Sequence, residues 1–252
     1  IRTILKNKIM KKLILPILSV FFLSSCAELQ QATKQLNEIQ NQGNQGGGIG
    51  QTQIANALKE ALELGVSKQV VNLTKTNGFY NNSLVKIPVP QELQKVEKAL
   101  RAAGLGSLAD EGVKAMNNAA SVAVKEATPI FVDAIKNMTI TDAKNILMGG
   151  NNSATQYLQK STTKSLYGKF NPIIKSSFNK VGADKVWKEI ITTYNTLPMV
   201  QKVNPDLTDY VTNEALDGVF TMIGKEEVDI RTNINARSTN LLKSVFALQD
   251  KK

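Results

Sequence analysis

NPDLTDYVTNEALDGVFTMIGKEEVDIR, residues 204–231, decides the architecture of this chain. Asn204-Pro205 sets a capping side chain ahead of a proline at the first helical turn, where a missing N–H costs nothing, so a long helix is predicted behind it. At about 100° per residue, Val211, Ala215, Val219, Met222, Ile223 and Ile230 fall on one face. A stripe of that width has to be buried against other helices. Glu226 lies near the middle of the same face, and a carboxylate there requires a basic or hydrogen-bonding partner from another helix. Asp217, Glu227 and Arg231 project elsewhere around the helix.

The same period runs outward from this segment. Leu93, Val96, Leu100 and Ala103 make one stripe, and Ile130, Phe131, Ala134, Ile135 and Met138 another. Val186, Trp187, Ile190, Ile191, Tyr194 and Leu197 form the strongest, which predicts that Trp187 is buried. Leu241, Leu242, Val245, Phe246 and Leu248 read as a short docking helix. Thr128-Pro129 and Asn171-Pro172 repeat the start signal of Asn204-Pro205, and Ser107 with Asp110, Thr139 with Asp142, and Ser153 with Gln156 have the spacing of capping boxes or close variants. Phe170, Ile173, Ile174 and Phe178 straddle the Asn171-Pro172 signal, which predicts two helices meeting at an angle. Only NGFYNNSLVKIPVP, residues 77–90, breaks the rhythm, as an extended loop or very short hairpin whose Phe79, Tyr80, Leu84 and Ile87 fold back onto helices. The expected fold is all-α, an irregular bundle of about eight or nine helices over residues 51–252, forming a single domain.

The other end of the chain has a different composition. Lys11 and Lys12 precede LILPILSVFFL, residues 13–23, an uncharged run of 11 residues, and Ser24-Ser25-Cys26 follows with the sole cysteine of the chain. That run is the length of a signal-peptide core and too short for a membrane-spanning helix. The arrangement resembles the lipobox of bacterial lipoproteins, in which small residues precede a cysteine that is acylated before cleavage. Residues 1–25 therefore read as a lipoprotein signal peptide, with 1–9 as an extension upstream of Met10, and Cys26 as the lipidated residue. Ala27 lacks the aspartate that resembles an inner-membrane retention signal, so the expected location is the cell envelope, at an outer membrane where the organism has one. Residues 26–50 form anchor and tether, since NQGNQGGGIG, residues 41–50, is Gly-rich and matches no phosphate-binding spacing. Ten flexible residues span about 16–19 Å root-mean-square.

Charge and absences bound the chemistry. The formal charge is +10, but five basic groups lie in 1–25, and the remainder carries 26 basic against 21 acidic residues, a net +5. Neither nucleic-acid motif nor aromatic-flanked Arg cluster accompanies that charge, so a nucleic-acid partner is not expected. The chain has no histidine, which removes Ser-His-Asp and Cys-His nucleophiles and His/Cys zinc sites, and neither metal nor cofactor is expected. Ser161 with Lys164 and Ser177 with Lys180 fit S-x-x-K, but no K-T-G follows, and in a Ser- and Lys-rich chain they read as coincidences.

Three strings carry a wider resemblance: VKIPVPQELQKVEKALRAAGLGSLAD at 85–110, PIFVDAIKNMTITDAKNILMGGNNSATQYL at 129–158, and the opening segment at 204–231. Together they resemble a bacterial envelope family known only as domain of unknown function 4197, over nearly the whole of 51–249. The resemblance implies an exported helical protein without an assigned activity, and it supplies no catalytic residue.

Two places read as candidate sites. One is the turn through Gly149, Gly150, Asn151 and Ser153, where free N–H groups between a helix end and a helix start can hold an anion or carboxylate. The other is Glu226, with Arg231 and Asp217 on the same helix. The preferred function is a non-enzymatic, membrane-anchored binding or structural protein whose partner is an envelope protein, lipid or polymer. The alternative is a hydrolase or lyase acting on an envelope glycan through carboxylates such as Glu226 and Asp217, which requires the two carboxyl groups about 5–9.5 Å apart.

Overall fold

The computed structural model describes residues 50–181, 183–196 and 198–250, and in it the amphipathic period becomes helix. The leader, Cys26 and segment 41–49 lie outside the described residues, as do the side chains of Val181, Val186 and Leu197. Nine α-helices are present among the described residues: α1 (Gln51–Thr74), α2 (Gln94–Ala102), α3 (Gly106–Ala123), α4 (Ala127–Lys136), α5 (Ile140–Met148), α6 (Ser153–Val181), α7 (Ala183–Asn195), α8 (Thr208–Thr232) and α9 (Asn240–Asp250). Single 3-10 turns stand at Gln91–Leu93, Val124–Glu126 and Ile234–Ala236, and no strand occurs among the described residues. The fold is an all-α irregular bundle.

The two long helices α6 and α8 pack along one another; α3 flanks α6, while α1 lies against α8 and carries α4, α5 and α9. The stripe on α8 is buried as its period requires, with Val211, Ala215 and Val219 fully inaccessible. Each such aliphatic side chain contributes about 1.5–3 kcal/mol relative to exposure. Phe220 meets Phe131 of α4 edge-to-face at 5.9 Å, an arrangement worth about 0.5–1.5 kcal/mol beyond area burial. Gly218 lets residues 77–90 approach α8: a Cβ there would lie 2.7 Å from the Phe79 ring.

That segment is a string of turns rather than a hairpin. Asn77 takes the left-handed conformation (φ 58°) that asparagine tolerates, and Phe79, Val85, Ile87 and Val89 turn inward. Leu84, expected inside, is exposed, and Val85 takes its place. Pro88 and Pro90 prevent ladder pairing, so the backbone of buried Ile87 needs other partners. Asn117 of α3 supplies both: its Oδ1 accepts from the Ile87 N–H at 2.9 Å and its Nδ2 donates to the Ile87 carbonyl at 2.9 Å.

Several start signals do not act where the spacing put them. Thr139 and Asp142 do form a capping box on α5, with each side chain serving the other's backbone N–H. By contrast α8 begins at Thr208, because Asn204 and Asp206 use their side chains in successive turns, accepting from the N–H groups of Asp206 and Thr208. Ser107 lies inside α3 and Ser153 is the first residue of α6 rather than its cap. Asn171-Pro172 ends no helix: α6 runs through Pro172. Phe170, Ile174 and Phe178 are buried along one line there, and their joint burial outweighs the roughly 3 kcal/mol cost of an interior proline.

A fragment beginning at Gly50 is expected to unfold in a single cooperative transition, because the apolar stripes all close within the compact unit that starts there. Thermal melts followed by far-ultraviolet dichroism and by Trp187 fluorescence should coincide. Two separated transitions would contradict a single domain.

Candidate functional site

The turn between α5 and α6 is held by a carboxylate from the chain itself. Glu227 reaches from α8 to the start of α6: its Oε1 accepts from the Ala154 N–H at 2.9 Å, and its Oε2 accepts from the Thr155 N–H at 2.8 Å and the Thr155 hydroxyl at 2.7 Å. Negative charge is favourable at a helix N-terminus, where the first N–H groups have no intrahelical acceptor. Glu227 thus takes the N–H groups of Ala154 and Thr155, beyond Gly149, Gly150, Asn151 and Ser153, whose own N–H groups it does not engage. Gly149 ends α5 in extended conformation (φ −80°, ψ −172°), so the left-handed glycine cap is not used either.

Arg231 completes the arrangement on the opposite charge. It lies one turn after Glu227 and is buried with it. Its Nε donates to Glu227 Oε1 at 2.9 Å, Nη2 donates to the Ile146 carbonyl at 2.8 Å, and Nη1 donates to the Leu147 carbonyl and Gln249 Oε1, both at 3.1 Å. A cation thus sits on the last carbonyls of α5 while an anion sits on the first N–H groups of α6, each at the helix end its sign favours. A second fully buried guanidinium, Arg237, donates to the carbonyls of Ile230 and Arg231 and grips Asp250 through both carboxylate oxygens at 2.6 and 2.8 Å. Both guanidinium groups stand within 6 Å of the Phe246 ring centre, at 5.9 and 5.7 Å. Arg237 holds the Asp250 carboxyl below the usual carboxylate range. The network ties α5, α6, α8 and α9 together.

Glu226 has the partners its position calls for. Its carboxylate accepts from Lys68 Nζ at 2.6 Å and Gln69 Nε2 at 2.7 Å, both on α1. Its side chain keeps 13% of its surface accessible and Lys68 keeps 57%, so this pair is far wetter than Glu227–Arg231. Glu226→Gln is accordingly expected to cost no more than about 1 kcal/mol in urea unfolding, since exposed pairs are screened. A loss above about 3 kcal/mol would mean that the dry network extends to Glu226.

Asp217 is not brought to Glu226. They are nine positions apart on α8, about 13–14 Å of rise and a net half turn, so the two carboxylates point to opposite sides. Asp217 is exposed in a shallow polar trough of about 760 Å³ that also takes in Gln156, Gln159 and Lys225. Its acidic neighbour is Glu214, one turn back, whose carboxyl is raised first by burial and then by the charge of Asp217. Arg231 is brought to Glu227, not to Glu226. The signal that could have located it was the Glu227-to-Arg231 spacing of four, which the apolar stripe of α8 overshadowed. Among the described residues no group of three or more His, Cys, Asp or Glu is gathered as a metal ion would need, and no helix is long and apolar enough to cross a membrane.

A family model described as protein of unknown function (DUF4197) matches residues 48–247, which takes in every helix from α1 through most of α9. No curated protein and no solved structure matches. With about four-fifths of its length matched, the chain belongs to the DUF4197 family.

Proposed function

We propose that this protein is an exported lipoprotein, anchored in the cell envelope through Cys26, whose helical domain binds a partner rather than transforming one. The observation that carries the anchor is the coincidence, within residues 11–26, of a lysine pair, an uncharged run of 11 residues and the sole cysteine of the chain. A helical body that begins at Gln51, directly after the Gly-rich segment, suits a module held off a bilayer on a tether. Binding is the better-supported role because the carboxylates offered for hydrolysis are otherwise disposed. Glu226 is held by Lys68 and Gln69, Asp217 faces the opposite side of α8 from it, and the neighbouring Glu227 is sealed between α6 and Arg231.

Cys26 tests the anchor directly. Expression in a bacterial host with labelled palmitate should give a labelled band starting at Cys26, and Cys26→Ser should yield an unlabelled precursor that keeps residues 1–25. Mass spectrometry finding an unmodified Cys26 thiol in the native protein would remove the envelope assignment.

A further inference from the structure

We infer that the trough between α3, α6 and α7 is a binding site for a single-chain anionic amphiphile, a long-chain carboxylate. Its floor is a stripe of small residues on α3, Gly112, Ala115 and Ala119, spaced so that all three face the same way. Absent side chains on one face leave a channel. Leu108 and Val122 mark its ends, 14 residues and therefore about 21 Å apart along the helix. The cavity holds about 500 Å³, within the range of ligand pockets. Drawn out over that length it is slender, below the width of about 10–12 Å that a docked helix would fill. An extended polymethylene chain suits such a shape, whereas a sugar ring or a nucleotide base would leave most of it empty.

The walls supply the opposite character. Lys114 and Lys180 stand on the rim, exposed, and among the described lining residues they outnumber the one carboxylate, Glu111, which favours an anionic head. Trp187 closes one side. Its ring lies directly on α3, where a Cβ on Gly112 would be 2.5 Å from Cζ2 and 2.6 Å from Nε1. Although Trp187 is only 2% exposed, its indole N–H meets no acceptor among the described residues. A buried donor left without a partner costs about as much as a hydrogen bond is worth, and such groups call for an explanation. A second cavity of about 300 Å³, lined by Phe178 and Leu207, also adjoins Trp187. The indole borders both cavities, and a carboxylate oxygen brought to it at Gly112 would supply the acceptor its N–H lacks while the acyl chain runs toward Val122. The site is independent of the anchor at Cys26.

The test uses the full chain bearing Cys26→Ser, so that no acyl group of its own competes, with Trp187 as the reporter because it is the sole tryptophan. Myristate below its micellar concentration is expected to change Trp187 emission saturably at one-to-one stoichiometry. Tetradecyltrimethylammonium, with the same tail and the opposite charge, should bind at least about tenfold more weakly, and Lys114→Glu combined with Lys180→Glu should weaken myristate by about tenfold. Ala115→Phe, which fills the channel at a half-buried position, should abolish the response with the dichroism spectrum unchanged. Should that variant fold poorly, the charge reversal decides. A flat titration, equal affinity for the two amphiphiles, or undiminished binding by the lysine variant overturns the inference. So does an equal emission change on phosphatidylglycerol vesicles with co-sedimentation of the protein, which would assign the surface to the bilayer instead.

Discussion

Arg231→Ala is expected to lower the unfolding free energy by about 3–5 kcal/mol, the usual cost of removing one partner from a buried ion pair. The loss has three parts. Glu227 would remain at the start of α6 with its two N–H donors and the Thr155 hydroxyl but without its counter-charge. The Leu147 carbonyl would lose its donor at the end of α5, the Ile146 carbonyl would keep only the Gly149 N–H, and the hold on Gln249 of α9 would go. Orphaned polar groups in a dry site cost more than a formed pair contributes. The double variant Glu227→Leu with Arg231→Met should therefore be less damaging than either half predicts by addition, with a coupling of about 0.5–3 kcal/mol. Urea unfolding midpoints of the four proteins, at an unchanged slope, measure this. A single variant losing less than about 1 kcal/mol would mean that water reaches the pair.

Trp187→Ala should cost about 3–5 kcal/mol, as for other large core aromatics. The ring is buried and packed closely on Gly112, so its removal would open α3 toward α7 and enlarge the two cavities it lines. Trp187→Phe separates volume from polarity. Phenylalanine retains most of the apolar contact and removes the unpaired N–H, whose burial penalty offsets part of the lost area, so its cost should stay below about 2 kcal/mol. Near-equal losses for the two variants would show that the stripe on α7 holds its place through some contact other than the bulk of the ring.

Helix content was legible because it depends on period alone. Val211, Ala215 and Val219 recur at a spacing that only a helix aligns, and any folded state must bury them. The Thr139–Asp142 box was legible for the same reason, since its partners are three residues apart and need nothing from elsewhere. Boundaries set by competition were not. Asn204 caps a turn instead of a helix, and Pro172 passes through α6, because the burial of Phe170, Ile174 and Phe178 exceeds what a local proline signal can impose.

Local pattern also established that Glu226 needed a partner, because a carboxylate on an apolar stripe has no other way to remain ionised. Which partner it has, and that its neighbour Glu227 is the buried acid, depended on where α1 and α6 pass. Lys68 is 158 positions away in sequence from Glu226, and Ala154 is 73 from Glu227. No period or spacing within a segment encodes such distances. The anion at the α5–α6 turn was likewise implied by unpaired N–H groups, which any helix start has, but its identity as a side chain of the same protein follows only from packing. The apolar run at 13–23, the lone cysteine and the helical class belong to composition and period; the Glu227–Arg231 clasp, the Asn117 hold on Ile87 and the trough beside Trp187 arise where segments distant in the chain meet and have to satisfy one another's polar groups and volumes.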